Sequence, residues 1–405
     1  VAAGAGDIAL LLDEVVSRNP EIQAARARAR AAASSAPQAA ALPDPTVGAS
    51  LYLLPPETRA GPQRLSASLS QKLPWKGKLP LREQKALLEA DALVAQADAL
   101  VLEKVTQARK LLLRVAFLDE SLRIVREDRE MLVEFESLSR ARYAAGRATT
   151  QAVVKLQAEI TRDDARLLSL KAERAGLVAE LNALRDRPGW DDIPAMVLTD
   201  EPPEPPDRER LELLARERRP EMAAARARSE AAEIAVQIAR KDTRPDVTVG
   251  LTYSIVDHRQ DVPSGEPPPP DSGDDILGVG ASVNLPIYRK RLAAGVREAI
   301  DRREAAEMNR RAVASEIDKE LEDLLQRIPL IRDQWTLFNT VLLPQSEESL
   351  HSLTYAYETG RSEVLDLLDA ERMLLEVRLG SARALTDLHL AMVDLERAVG
   401  GELTP

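Results

Sequence analysis

Hydrophobic positions along this chain switch between two periods, and the switches fall at prolines and glycines. From Thr46 the period is two: Val47, Ala49, Leu51 and Leu53 oppose Thr46, Gly48, Ser50 and Tyr52. After Pro55-Pro56-Glu57 and Gly61-Pro62, Leu65, Ala67, Leu69 and Leu73 oppose Ser66, Ser68, Ser70 and Lys72. The pattern returns later, where Val247, Val249, Leu251, Tyr253 and Ile255 oppose Thr248, Gly250, Thr252 and Ser254. Leu277, Val279, Ala281, Val283 and Leu285 then oppose Gly278, Gly280, Ser282 and Asn284. Such alternation predicts four strands, at about 46–54, 64–73, 246–256 and 275–285, forming two hairpins with one apolar and one small-polar face.

The rest of the chain has helical periodicity. Helices are predicted over Asp7–Ser17 and from Pro20 to about Ala41, the latter opening on a proline that costs little in a first turn. Leu42-Pro43-Asp44-Pro45 ends it and extends the chain. A helix from about 79 to 145 would be roughly 100 Å long at 1.5 Å per residue. Its counterpart, about 288–359, carries Pro329 and Pro344, which are expected to kink it or break its hydrogen bonding locally. Return helices are predicted over about 149–186 and 362–399. Asp191–Pro206, with five prolines, links the halves, and the proline-rich loop from Val262 to Asp275 is expected to lie in water.

The two halves repeat each other. Asn19-Pro20-Glu21 returns as Arg219-Pro220-Glu221, Val47-Gly48 as Val249-Gly250, Leu73-Pro74 as Leu285-Pro286, and Tyr143-x-x-Gly146-Arg147 as Tyr357-x-x-Gly360-Arg361, at offsets of 200, 202, 212 and 214. Ordered matches whose offset only grows indicate an internal duplication with insertions. The expected organisation is a first repeat over 1–206 and a second over 207–405.

Composition narrows the classes. Of 405 residues only 3% are aromatic, while 30% are charged, which suits long helices packed through alanine and leucine. Leu87, Val94, Val101, Val105, Leu112 and Val115, interleaved with Ala86, Ala90, Ala97 and Ala108, form a small-residue seam on the first long helix. The absence of cysteine removes disulfides and thiolate metal sites. A net charge of −11 argues against nucleic acid as a partner. The start at Val1 without an initiator Met is what removal of a leader would leave. No apolar run reaches the roughly 18 residues of a membrane helix. A transmembrane barrel needs only strands of about 10 alternating residues, so it remains open.

Four strands with one apolar face leave two open edges and a surface that charged helices cannot cover. A membrane and further copies of the chain would remove both, because unpaired backbone groups in lipid cost several kcal/mol each. Two copies give eight strands and three give twelve. Ser, Thr, Gly and Asn on the other face are too small to fill a barrel, which favours the wider assembly with a lumen. The expected fold is therefore an α+β membrane protein, a duplicated unit giving four strands per protomer to a trimeric 12-stranded β-barrel, continued by a long α-helical barrel.

This order of strands and helices in duplicate, with the turns Tyr143-Ala144-Ala145-Gly146-Arg147 and Tyr357-Glu358-Thr359-Gly360-Arg361, resembles the outer membrane factor family typified by TolC. The resemblance covers essentially the whole chain. It implies a homotrimer in the outer membrane of a Gram-negative bacterium, with most of its mass in the periplasm. It also implies service as the exit duct of a tripartite efflux system, beside a periplasmic adaptor (membrane fusion protein) and an inner-membrane pump, with iris-like gating at the helical tip. By the same resemblance Asp366 and Asp369, in Val364-Leu365-Asp366-Leu367-Leu368-Asp369-Ala370, would form a carboxylate constriction, three apart on one helix face. Tyr357 would be a latch tyrosine, with Ser362 where the family's latch arginine stands and Arg361 beside it. Gln71-Lys72-Leu73-Pro74-Trp75-Lys76-Gly77-Lys78-Leu79 looks like the strand-to-helix junction of the cation-efflux CusC and CzcC branch, which would make the cargo a heavy-metal cation.

Each of these has a plainer reading. Asp366 and Asp369 would otherwise be exposed helix acids, and Arg147 and Arg361 solvated turn residues. Tyr143 and Tyr357 would be packing anchors, and Gly146 and Gly360 backbone devices that end a helix in the left-handed conformation. His258, His351 and His389 have no paired spacing, so no metal site is expected, and no nucleophile or phosphate motif points to an enzyme or a cofactor. The remaining alternatives are a duct for multidrug efflux or type I secretion, and a soluble coiled-coil periplasmic adaptor with no channel.

Overall fold

The structure, a computed structural model, describes residues 5–198, 202, 204–259, 261–262 and 265–403. Val1, parts of the proline-rich linker (199–201 and 203) and Pro263-Ser264 of the second hairpin loop lie outside the described residues. The chain divides into two compact units: Val1–Ala27, Ala95–Ala223 and Ala312–Pro405 form one, and Arg28–Val94 with Ala224–Arg311 the other. Each draws on both halves of the sequence, so the units are distinct from the repeats expected over 1–206 and 207–405.

The strand-bearing unit is built on β1 (Thr46–Leu51), β2 (Glu57–Thr58), β3 (Gly61–Leu73), β4 (Val247–Val256) and β5 (Ile276–Val283). The main sheet runs β1-β3-β4-β5, and the short β2 pairs only with β3. All pairs are antiparallel, and their register aligns the sequence alternation across the sheet. Val47 faces Leu69, which faces Leu251, which faces Val279. One step along, Ala49, Ala67, Tyr253 and Leu277 form the next row. Between them run rows of small residues, such as Thr46, Ser70, Gly250 and Gly280. A side-chain period of two makes a one-residue slip fatal to this arrangement, so the apolar rows fix the register. The first strand stops at Leu51, three residues short of the predicted end, and Leu53 and Leu54 stand 89% and 91% exposed beyond it.

Asp246 ties the base of this sheet to the start of the first long helix, α4 (Lys78–Ala144). Its carboxylate accepts from the Trp75 N–H at 2.9 Å and pairs with Lys78 at 2.8 Å and Lys72 at 3.3 Å. Lys78 is buried, so this charge is held by its partners rather than by water. The Gln71–Leu79 motif is thus a structural joint.

The helical unit holds most of α4, α5 (Thr150–Leu184), α6 (Arg208–Arg218), α9 (Leu343–Glu358) and α10 (Val364–Ala398). α1 (Ala5–Arg18) packs in the same unit, and α2 (Pro20–Ala33), α7 (Pro220–Lys241) and α8 (Arg289–Leu337) run through both. The helix predicted from Pro20 to Ala41 is broken at Ser34 into α2 and α3 (Ser35–Ala40). Pro37 has no N–H for the carbonyl four residues back and its ring crowds it, which stops α2 at Ala33. The two prolines of the second long stretch behave differently. α8 passes through Pro329, whereas a π-helical turn, Phe338–Leu342, precedes Pro344. The Leu343 N–H reaches back to the Phe338 carbonyl, and the Phe338 ring lies against Gly380 where a Cβ would meet it at 2.6 Å. The seam on α4 is partly revised: Ala86, Ala90, Ala97 and Ala108 are buried with Leu112 and Val115, but Leu87 and Val94 face outward, 47% and 48% exposed.

Equivalent joints recur in the helical unit. Asn19 is buried between α1 and α2, accepts from the Glu21 and Ile22 N–H groups, and donates to the Leu184 carbonyl at the end of α5. Its sequence counterpart Arg219, buried between α6 and α7, donates to the Ala398 carbonyl at the end of α10. Both side chains supply a donor to helix-terminal carbonyls that have no partner within the helix. Around them lie leucine-rich cores, including Leu111, Val115 and Leu181 in one half and Leu211, Leu321 and Leu395 in the other.

Candidate functional site at the paired turns

The helical unit contains both glycine turns. Gly146, between α4 and α5, has φ 72°, and Gly360, between α9 and α10, has φ 78°. The Gly146 and Arg147 N–H groups donate to the Tyr143 and Arg142 carbonyls at 2.9 and 2.8 Å. Those of Gly360 and Arg361 donate to Tyr357 and Ala356 at 3.0 and 2.8 Å. This pair of bonds is the Schellman ending, in which a left-handed residue turns the last N–H groups back onto the helix carbonyls.

The two tyrosines, alike in sequence, differ in place. Tyr357 is 3% exposed with its hydroxyl unpartnered, whereas Tyr143 is 49% exposed. The Arg142 guanidinium lies 4.6 Å from the centre of the Tyr357 ring and donates to the Tyr357 carbonyl. Arg142 therefore ties the end of α4 to the end of α9, placing a cation at a helix C-terminus. The positive φ at Gly360 disfavours any other residue there, and a Cβ would also crowd the Arg142 Nη2 at 3.3 Å. Arg361 sits 5.8 Å over the exposed Tyr355 ring. Arg147 lines a cavity of about 350 Å³ with Arg142, Lys155, Tyr357 and Glu363.

Asp366 and Asp369 lie in the first two turns of α10, exposed between the buried Val364, Leu367, Leu368 and Ala370. The Asp366 carboxylate accepts from the Glu363 N–H at 3.2 Å, so it also caps its own helix. Asp369 lies 3.7 Å from Arg372, which in turn pairs with Glu159 of α5.

Sequence reading passed over Arg142 and a set of buried acids. Asp128 of α4, Asp163 of α5 and Glu371 of α10 are 4%, 5% and 1% exposed. Burial, with the neighbouring carboxyl groups, pushes Asp128 up to about 8 and Asp163 up to about 7, and burial raises Glu371 as well. The available signal was an acid at an apolar phase of each helix, since Asp128 has Ile124 and Leu132 four residues to either side.

Residues 213–401 match the family described as outer membrane efflux protein. That stretch of the chain is similar to these outer membrane proteins. Residues of the cobalt-zinc-cadmium resistance protein CzcC of Cupriavidus metallidurans align at 24% identity over 197 residues, 48% of this chain and 44% of that protein. The chain's match thus spans under half the length of this curated relative. The fold agrees over far more: the outer membrane protein VceC of Vibrio cholerae superposes with a TM-score of 0.79 at 22% identity, over 98% of this chain and 97% of that one. CusC gives 0.80 at 18% identity, over 98% and 92%. No helix among the described residues is long and apolar enough to cross a membrane.

Proposed function

We propose that three copies of this chain form the exit duct of a tripartite efflux system, each giving four strands to one twelve-stranded barrel. The observation that carries this reading is the cross-strand register. It gathers Val47, Leu251, Leu277, Val279 and Val283 on one sheet face at 43–85% exposure, and leaves the outer edges of β1 and β5 to be closed by neighbours. The duplicated halves, with their matching Asn19 and Arg219 joints, supply two hairpins and two helical turns per protomer. A periplasmic adaptor and an energised inner-membrane pump dock at the turns, and the chain conducts passively.

In this reading Asp366 and Asp369, repeated in three protomers, make the carboxylate constriction. Tyr143, Gly146, Arg147, Tyr357, Gly360 and Arg361 shape the turns, with Arg142 holding Tyr357. Opening is a separation of the turns. A heavy-metal cation is the cargo favoured by the similarity to CzcC.

The test is purification in detergent followed by planar-bilayer recording. A trimer with cation-preferring channels is expected, and joint Asp366→Ala and Asp369→Ala substitution should weaken cation block and cation preference. A protein that stays monomeric and dissolves without detergent would return the chain to the soluble-adaptor reading. Cargo is tested by deletion: loss of resistance to cobalt, zinc or cadmium supports the metal, and loss of drug tolerance alone refutes it.

A further inference from the structure

In the packing of α4, α5 and α10 a layer of carboxyl groups stands where a layer of leucines would be expected. On one side lie Leu132, Leu156 and Leu367, and on the other Val125, Leu375 and the partly buried Leu167. Between them Asp128 meets both Glu371 and Asp163, side chain to side chain. One oxygen of each acid, Asp128 Oδ2, Asp163 Oδ2 and Glu371 Oε2, is buried with no donor. Carboxylates that face each other can bond only if one carries a proton, and three adjacent negative charges cannot all persist out of water.

The surrounding charges offset this only in part: Arg378, Arg166 and Arg372 favour the ionised forms of Asp128, Asp163 and Glu371 respectively, but burial outweighs them. On α10, Arg372 pairs with Glu159, and Arg378 lies 3.3 Å from Glu347 and 3.8 Å from Glu127. On α5, Arg162 pairs with Glu159, whose negative charge also faces the layer, and Arg166 is exposed. Among the described residues no group of three or more acids or histidines has the arrangement of a metal site. The proton is therefore the ligand that fits.

We infer that Asp128, Asp163 and Glu371 form a proton-binding layer that fastens α4, α5 and α10 to one another when occupied and loosens them when it empties. Glu371 lies two helical turns into α10 from Val364, on the same helix as Asp366 and Asp369. Emptying the layer therefore loosens the root of the gate segment, a consequence that rests on the channel reading, whereas the proton site does not.

Infrared spectra of the purified full chain test the site directly. A protonated-carboxyl band is expected at about pH 6, lost by about pH 9, and diminished in Asp128→Asn and in Glu371→Gln. The thermal midpoint of the wild type should fall by several degrees over that range, and Asp128→Asn, which mimics the occupied form, should flatten the fall. In bilayers the wild type should open more often at the higher pH, and Asp128→Asn should keep the lower-pH behaviour. Absence of the band, an unchanged slope in Asp128→Asn, or opening indifferent to pH would each overturn the proposal. If one variant does not fold, Asp163→Asn and the wild-type band decide it. If no pore forms at any pH, the channel reading fails while band and slope still judge the proton layer.

Discussion

Replacing Arg142 by alanine removes the side chain that joins the two helical turns. Its guanidinium donates to the Tyr357 carbonyl and lies 4.6 Å from the Tyr357 ring centre. A hydrogen bond from a charged donor contributes about 1.5–3 kcal/mol, and a cation over an aromatic face about 0.5–2 kcal/mol depending on exposure. Both come from one half-buried side chain and do not simply add, so about 2 kcal/mol per protomer is a fair figure. That corresponds to roughly 30-fold in an equilibrium constant. If the tie holds the tip closed, Arg142→Ala should raise single-channel open probability by at least this order, because each protomer contributes to the same closed state. Arg142→Lys, which keeps the charge but not the planar fork, should recover part of the effect. Arg361→Ala, removing a cation 5.8 Å over an exposed ring, should change little. Open probability and thermal midpoint both unchanged in Arg142→Ala would refute the reasoning.

Other expectations follow from burial and charge. Leu367→Ala, at a fully buried position beside Asp366, should cost about 2–5 kcal/mol in denaturant unfolding. Val279→Lys, at an 85% exposed position on the apolar face of β5, should prevent stable membrane assembly at about 2–4 kcal/mol per midplane cation, read as loss of the heat-resistant oligomer, while Gly280→Ser on the opposite face should be tolerated. Glu14 is hydrogen-bonded by Arg187 and Arg185, which hold its carboxyl down to about 2. Its stabilisation is present above the usual glutamate range near 4.5 and is lost as pH falls toward 2, so Glu14→Gln should reduce the acid-side slope of stability. Asp128 has the opposite sign: with its pKa raised to about 8, stability is fullest below about pH 4 and declines as pH rises through 8.

Much of this architecture was legible in the chain because it depends on local periodicity. Alternation identified the strands, since side chains in a strand point to opposite faces whatever surrounds them. The glycine turns were equally visible, because only a residue free at positive φ ends a helix in this way. The break at Ser34 was also local, set by Pro37, although the alanine-rich pattern around it read as one helix. The difference between Tyr143 and Tyr357 was not local. Each follows the same spacing to its glycine, and only the packing of α4 against α9 and α10 buries one ring and leaves the other exposed. Arg142 gained its role in the same way, from a partner 215 residues away. Asp128, Asp163 and Glu371 looked like three unrelated helix acids. Their burial and shared proton depend on three helices meeting at one level, and a linear sequence does not record which phases of separate helices will coincide.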